Sequence, residues 1–446
     1  MPNHMNTKPP KLNTIITPEV AKTYLINVAE TLNNLVIPHL EGTSRARAND
    51  CLRIVSRLVS NSELSDKSVE LLACEAGDAI SEALIEGAAI ENANEEGVQY
   101  LQSIKATVPV ASRSFDHLQL ETYLRRHPLG GDKVRITQSR LLVGGRSKIT
   151  VLVSQQGATG LPEDFVLRQD WANSPTGKAV EIEFELLKRL HSAGVLVPKP
   201  LLLERSKEVA GNPFMIVSRQ PGAPSGDHFM SLPSSERPLM QLAEQLGLIH
   251  GMETAEFERM EGIVETNYKP EQMRANLAAY AATIAKHDTA KSPLLDQTIQ
   301  WLDRNADRVA TAPRTLVHGD FGFHNSLVDG DDLSVILDWE LVHLGNPCYD
   351  LGYLRHSVTD NAVWARFMEH YRSGGGPDFD PEFVDYYTLY TGIWYHQIQL
   401  HTRNFLLTGV VHDMEISALC ADFAPMVLAS ISRTLKRVSG KPLPGK

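Results

Sequence analysis

The pattern of this 446-residue chain predicts an α+β fold: a small sheet-rich lobe and a larger, mainly helical lobe, preceded by an all-α unit. Three observations carry that expectation. Up to about residue 110 the apolar residues recur only at helical spacing. Between 134 and 217 short apolar or alternating runs of strand type are grouped together. Beyond 222 helical spacing returns and is interrupted once, by the Asp-rich stretch from Leu316 to Leu351. The expected divisions are 1–110 for the helical unit, 111–221 for the small lobe and 222–446 for the large lobe, and the length is ample for each to hold its own core.

Charge narrows the range of partners. The net charge is −11, and the first 112 residues hold 9 Lys and Arg against 14 Asp and Glu, so neither they nor the remainder offers the basic footprint of a nucleic-acid binder. Cys51, Cys74, Cys348 and Cys420 have no ligand-like spacing, and so few cysteines fit packing roles in a reducing compartment. The N-terminus lacks the apolar core of a signal peptide, and no stretch reaches the roughly 18 apolar residues of a membrane span. A cytoplasmic protein with no membrane partner is expected.

The leading unit reads as three amphipathic helices. Thr17 and Pro18 suit a helix start, after which Ala21, Leu25, Val28, Leu32 and Val36 share one face. Ala48, Cys51, Leu52, Val55, Leu58 and Val59 make a second stripe, and Val69, Leu72, Ala76, Ile80, Ala83 and Leu84 a third. No set of residues here looks catalytic. The stripes must pack on each other, on the rest of the chain or on another copy, so a homo-oligomer through these helices is one expectation. The turn Pro38-His39-Leu40-Glu41-Gly42 and the helix from Ala48 to Val55 resemble a small helical family of unknown function that in bacteria occurs beside, or joined to, phosphotransferases of 4-hydroxy-acid catabolism.

In the small lobe, Phe115 to Arg126 is a predicted amphipathic helix, and Val134 to Thr137 and Lys148 to Val153 are predicted strands. Gly144 and Gly145 lie in the turn between those strands, just before Ser147. Adjacent glycines let a backbone approach a phosphate without Cβ interference, and a plain hairpin turn uses them equally well. Phe165 to Arg168 follows as a strand, Val180 to His191 as a helix, and Val195 to Leu203 and Phe214 to Val217 as two more strands.

The large lobe begins with a stripe of Leu239, Leu242, Leu246 and Ile249 on a helix closing at His250 and Gly251, the histidine reading as packed core. Ser292-Pro293 opens another helix. Thr315 to Val317 is a strand-like run that delivers His318, Gly319 and Asp320 onto a loop, with Asn325 five residues after Asp320. Val335 to Leu337 brings out Asp338, and a hairpin between the two runs would gather Asp320, Asn325 and Asp338 at one mouth. Two carboxylates and an amide suit Mg²⁺ and phosphate, because that ion takes few protein carboxylates and keeps several waters. Asp380-Pro381 opens a long aromatic helix whose Trp394, His396, His401 and Arg403 could line a pocket, and the tail from Ser432 to Lys446 is expected to fray.

His318-Gly319-Asp320 with Asn325, then Asp338-Trp339-Glu340, then Gly345-Asn346-Pro347 with Asp350-Leu351 together resemble the kinase catalytic core of the aminoglycoside phosphotransferase and choline kinase family. That resemblance implies a bilobal protein-kinase-like fold with an antiparallel small lobe, and the cofactors ATP and Mg²⁺. It makes Asp320 the catalytic base, Asn325 and Asp338 the metal ligands, and Asp350 a structural carboxylate. Gly144, Gly145 and Ser147 fall in the nucleotide loop, where the related families often have Gly-Gly-x-Ser-Asn and this chain has Lys148 after the serine. Arg168 stands where most kinases place a phosphate-gripping lysine, as in the branch related to acyl-CoA dehydrogenase fusion proteins. Glu183 is the implied partner of Arg168, with Glu181 and Glu185 as rivals, and Ser218 to Gly222 resembles the hinge that reads adenine through its backbone. The implied reaction is phosphoryl transfer to a hydroxyl of a small molecule, with a hydroxyacyl-CoA preferred. Rival expectations are an aminoglycoside or macrolide antibiotic kinase, and a nucleotide-binding pseudokinase; the latter is disfavoured because Asp320, Asn325 and Asp338 are all present.

Overall fold

The structure, a computed structural model, describes Leu52 and residues 116–142, 148–170, 179–224, 235–287, 292–407 and 414–439, with side chains for all of these but His287 and residues 401–425. The expected helical unit lies outside the described residues apart from Leu52, as do Gly144, Gly145 and Ser147. The sheets and the motif residues Asp320, Asn325, Asp338 and Asp350 all belong to one compact unit, formed by Val110–His401 and Phe423–Lys446.

Helix α1 (His117–Arg126) starts where Asp116 accepts from the backbone N–H groups of Leu118 and Gln119 at 2.9 and 3.2 Å. Leu120 and Leu124, one turn apart, are its buried face. They close one side of a five-stranded sheet whose order is β1 (Arg135–Leu142), β2 (Lys148–Gln156), β3 (Asp164–Asp170), β5 (Phe214–Ser218), β4 (Pro200–Glu204), antiparallel throughout. Alternation along β3 decides what each face carries: Phe165 and Leu167 enter the core with Leu120, Leu124, Val151, Val153, Phe214 and Ile216, and Arg168 is sent to the opposite face. Lys148, the departure from the family loop, is buried, stands across the β2–β3 ladder from Asp170 and forms an ion pair with that partly exposed carboxylate at 2.7 Å.

Helix α2 (Val180–Ser192) buries Val180, Glu183, Phe184, Leu187 and Leu190, a 3.6-residue stripe in which the one charged member is Glu183. The expected strand from Val195 to Leu203 is shorter than the sequence suggests. Only Pro200–Glu204 joins the sheet, because the backbone just before it is already used elsewhere: the Leu196 N–H donates to Gln245 Oε1 at 2.7 Å and the Leu196 carbonyl accepts from Ile336 at 2.7 Å.

Strand β6 (Ala223–Pro224) follows the hinge. Gly222 has φ +100°, and a Cβ there would lie 2.5 Å from the Val328 carbonyl oxygen, so only glycine lets the connection pass this close. The large lobe continues through α3 (Arg237–His250), α4 (Ala255–Glu258), α5 (Pro270–His287) and α6 (Pro293–Val309) to β7 (Thr315–Val317). A 3₁₀ turn over Phe323–Asn325 then leads to β8 (Ser326–Asp329), β9 (Asp332–Ile336), β10 (His343–Gly345), α7 (Cys348–Leu354), α8 (Asn361–Ser373), α9 (Glu382–Leu407) and α10 (Met414–Ser439). An antiparallel sheet lobe thus joins a mainly helical lobe.

Two expectations need correction. The runs at Thr315–Val317 and Val335–Leu337 do not form a hairpin with each other: β7 pairs with β10, and β9 with β8 across a tight turn at Gly330. Pairing β8 with β9 sets Asp329 opposite Asp332 at the turn end, so the loop to be closed is far shorter than one joining β7 to β9 directly. Nor does the tail fray from Ser432 to Ser439, where α10 continues with Ile431, Leu435 and Val438 buried on one face; residues 440–446 lie outside the described residues.

Candidate active site

Gly319 starts the site with φ +90°, and a Cβ there would approach the Leu341 carbonyl oxygen to 2.5 Å. The chain turns sharply between β7 and Asp320, and the turn exposes two backbone N–H groups to the interior. Both are taken by Asp350: His318 N–H donates to Oδ2 at 2.7 Å and Gly319 N–H to Oδ1 at 2.8 Å. His250 adds a third donor, Nε2 to Oδ2 at 3.2 Å, and its Nδ1 is hydrogen-bonded to the Tyr371 hydroxyl at 2.9 Å. Burial alone would raise the fully buried Asp350 carboxyl, yet His250 and the Gly319 N–H hold it below its ordinary value. The histidine that reads as packed core in the sequence is therefore a buried donor to the carboxylate that pins the loop.

His318 ties the loop to the next motif. Its Nδ1 accepts from the Asp320 N–H at 3.2 Å and its Nε2 donates to the Leu337 carbonyl at 3.0 Å, while its ring packs on buried Trp339 with centroids 4.5 Å apart. The Leu337 N–H in turn donates to the Asn325 carbonyl at 2.7 Å. That bond continues the β8–β9 ladder beyond the Ser326–Ile336 pair, so this hairpin, and not one between β7 and β9, carries Asp338 to the end where Asn325 stands. Asp338 itself has φ +62°, a left-handed conformation that costs a non-glycine residue of order 1 kcal/mol and that turns its side chain out of the strand end.

The Asp320 carboxylate is surrounded by donors. Asn325 Nδ2 gives 2.9 Å bonds to its Oδ2 and to its backbone carbonyl. On Oδ1, His324 Nε2 stands at 3.1 Å and the Tyr395 hydroxyl at 3.3 Å, and the Tyr353 hydroxyl makes a short bond to the same oxygen. Because the amide of Asn325 is engaged through nitrogen, its oxygen is the atom that could meet a hard cation.

Across the cleft face of the sheet, Arg168 Nη1 lies 2.8 Å from Glu183 Oε1 and Nη2 lies 3.5 Å from Asp338 Oδ1. Glu183, and neither Glu181 nor Glu185, is the carboxylate paired with this arginine. The pair is close but poorly aligned: Arg168 Nε and both Glu183 oxygens are buried without a hydrogen bond of good geometry. Burial pushes the Glu183 carboxyl up, an effect Arg168 only partly offsets. Arg168, disfavoured by burial, is held charged by Glu183 and Asp338. An unsatisfied guanidinium N–H beside a carboxylate and an amide oxygen is the donor set that a phosphate with its Mg²⁺ would complete. The residues present fit both groups.

Some sequence expectations found other places. Of the residues proposed to line a pocket, Trp394 is half-buried, His396 is buried, and the side chains of His401 and Arg403 lie outside the described set. Tyr353, His324 and Tyr395, which touch Asp320, are not found by sequence reasoning. Tyr353 and Tyr395 follow Asp320 by 33 and 75 residues, and their only sequence signal is a buried aromatic at helical spacing.

The model of the phosphotransferase enzyme family, APH, matches residues 140–387. Acyl-CoA dehydrogenase family member 11 of Mus musculus is 31% identical over 254 residues, covering 54% of this chain and 31% of that protein. Family member 10 of the same organism is 32% identical over 184 residues, covering 40% of this chain and 17% of that protein. The chain thus spans a third or less of the length of these curated relatives. Among solved structures, one assigned as an aminoglycoside phosphotransferase from Ralstonia eutropha JMP134 superposes with TM-score 0.57 at 20% identity, covering 72% of this chain and 99% of that one. The GDP complex of wild-type aminoglycoside 2'-phosphotransferase-IIIa superposes with TM-score 0.50 at 16% identity, covering 71% and 99%. These likenesses show the fold. With a family model running from the sheet of the small lobe to the long helix of the large one, the chain belongs to the phosphotransferase enzyme family and carries its kinase-like fold.

Proposed function

We propose that this chain transfers the γ-phosphoryl group of ATP to a hydroxyl of a small molecule, with a hydroxyacyl-CoA as the acceptor. The carrying observation is the set of bonds that brings Asp320, Asn325, Asp338 and Arg168 to one mouth between the lobes. The acceptor oxygen attacks the γ-phosphorus, an O–P bond forms, the bond to the β-phosphate oxygen breaks, and ADP leaves. Asp320 orients the hydroxyl and takes its proton, which then passes to solvent. Asn325 through its amide oxygen and Asp338 through its carboxylate would hold Mg²⁺, which when bound neutralises charge on the phosphate oxygens. Arg168, anchored by Glu183, would grip phosphate oxygens through the N–H groups its present partners leave poorly used. The acceptor class is supported by the curated relatives, whose names refer to acyl-CoA chemistry.

The test is nucleotide consumption, with ATP and separately with GTP, over a panel of hydroxyacyl-CoA thioesters, amino alcohols, aminoglycosides and macrolides. Turnover of the thioesters, lost by about 10²- to 10⁴-fold in Asp320→Asn while nucleotide affinity persists, is the expected result. Turnover confined to the antibiotics would overturn the acceptor class. Nucleotide binding without turnover of any acceptor would favour the pseudokinase reading.

A further inference from the structure

Oδ1 of Asp320 is crowded by polar groups. A carboxylate oxygen offers two in-plane lone pairs. Oδ1 faces the Tyr353 hydroxyl, His324 Nε2 and the Tyr395 hydroxyl, three groups for two lone pairs, and the Tyr353 hydroxyl and His324 Nε2 also stand 3.3 Å from each other. His324 at 3.1 Å is within the normal range for N–H···O, and the Tyr353 bond is short, but Tyr395 at 3.3 Å is long for O–H···O. The origins of the donors differ too. His324 belongs to the same 3₁₀ turn as Asn325, and Tyr353 lies one turn beyond the Asp350 anchor on α7. Tyr395 reaches in from α9, with its ring edge-on to that of Tyr353 at 5.0 Å.

We propose that the Tyr395 hydroxyl stands in the place of the acceptor hydroxyl: it occupies the weakest position on Asp320 Oδ1, and the acceptor displaces it when it binds. This rests on the reading of Asp320 as the group that takes the acceptor proton. Tyr353 has the opposite part. Its bond to Oδ1 persists through the reaction, fixing the carboxylate so that the position vacated by Tyr395 lies toward the transferring phosphoryl group, which makes Tyr353 a positioning residue. In the nucleotide-bound enzyme without acceptor, Tyr395 would then hinder water from taking the same place and being phosphorylated. The device discriminates by strength: a hydroxyl held by the rest of its molecule outcompetes the phenol, and a free water does not.

Hydrolysis of ATP without acceptor tests this with water as the nucleophile, so no acceptor need be known. Tyr395→Phe and Tyr353→Phe each remove one hydroxyl and keep the ring contacts, and thermal melting confirms that both variants are folded. Tyr395→Phe is expected to raise ATP hydrolysis about tenfold, the scale of one displaced hydrogen bond of ~1.4 kcal/mol, and to lower the KM of any accepted hydroxyl compound. Tyr353→Phe is expected to lower hydrolysis by a similar factor, and Asp320→Asn to abolish it. If Asp320→Asn hydrolyses ATP at the wild-type rate, the assignment of Asp320 fails and this inference fails with it. If Asp320→Asn is inactive but Tyr395→Phe is no faster than wild type, the proposed function stands and the displacement is refuted. A matched loss in both tyrosine variants would make Tyr395 a second support of the carboxylate, and that too refutes it.

Discussion

Replacing Asp350 by Asn should destabilise the large lobe by about 2–6 kcal/mol at pH 7, the cost of leaving two buried hydrogen-bonding groups unsatisfied. The figure can be built from the contacts. In its best orientation the Asn oxygen takes the place of Oδ2, keeping the bonds from His318 N–H and His250 Nε2, and the amide nitrogen then faces the Gly319 N–H. Two donors oppose each other in a site closed to water, and each orphaned group costs about 1–3 kcal/mol. The two bonds that survive lose their charge assistance, which roughly halves them.

The same substitution should alter the dependence on acid. Because the folded Asp350 pKa lies below the ordinary value of 3.8, its ionised form contributes stability that is fully present above pH 3.8 and is lost as pH falls through the depressed value. Asn cannot titrate, so the gap between wild type and variant should be widest at neutral pH and shrink below pH 3.8. Urea unfolding followed by tryptophan fluorescence at a series of pH values measures both effects, with buried Trp339 as a reporter packed on the loop itself. A cost under ~1 kcal/mol at pH 7, or a gap that stays constant into acid, would refute the account of Asp350 as the charged anchor of the turn that leads into Asp320.

Two further outcomes are expected. Asp338→Ala should weaken Mg²⁺-dependent nucleotide binding with only partial rescue by excess Mg²⁺, since it removes the one carboxylate assigned to the ion; calorimetric titration with and without Mg²⁺ would show it, and an unchanged metal dependence would move attention to Glu340. Arg168→Lys should weaken nucleotide affinity about tenfold, because one ammonium cannot meet Glu183 and Asp338 together as the two guanidinium nitrogens do; equal affinity in a fluorescence titration would show that this arginine does not grip phosphate.

Much of this arrangement is legible in the residues because spacing carries it. The apolar period of α2 points Glu183 into the buried stripe and leaves Glu181 and Glu185 more exposed, so periodicity alone favours the right carboxylate. Alternation in β3 sends Arg168 to the face opposite Phe165 and Leu167. Features decided by three-dimensional closure are not legible in this way. Nothing local marks Asp338 for φ +62°; that conformation is imposed by the bond from Leu337 to Asn325 on one side and the burial of Trp339 on the other. The strand pairing is misread because two short apolar runs flanking an Asp-rich loop look alike as partners, whichever ladder they join. Tyr395 escapes notice because Phe383, Tyr387 and Tyr390 set the core face of α9 four and three residues apart, and the helix buries Tyr386, Ile393 and Tyr395 as well, a wider stripe than a single period reveals.

The third motif, Gly345-Asn346-Pro347 with Asp350-Leu351, bears on the reaction more directly than its distance from Asp320 suggests. Asn346 fixes the start of α7, accepting from the Cys348 N–H at 2.9 Å and donating to the Val309 carbonyl at 2.8 Å. From that fixed start the helix presents Asp350 and, three residues on, Tyr353 along one side. Asp350 holds the backbone of His318 and Gly319, and Tyr353 holds the side chain of Asp320. One short helix thus reaches both the backbone leading into Asp320 and the carboxylate itself, and any rotation of that helix would disturb both together. A carboxylate held at both levels keeps one orientation, and the proposed phosphoryl transfer, which would depend chiefly on alignment, would gain most from that restriction.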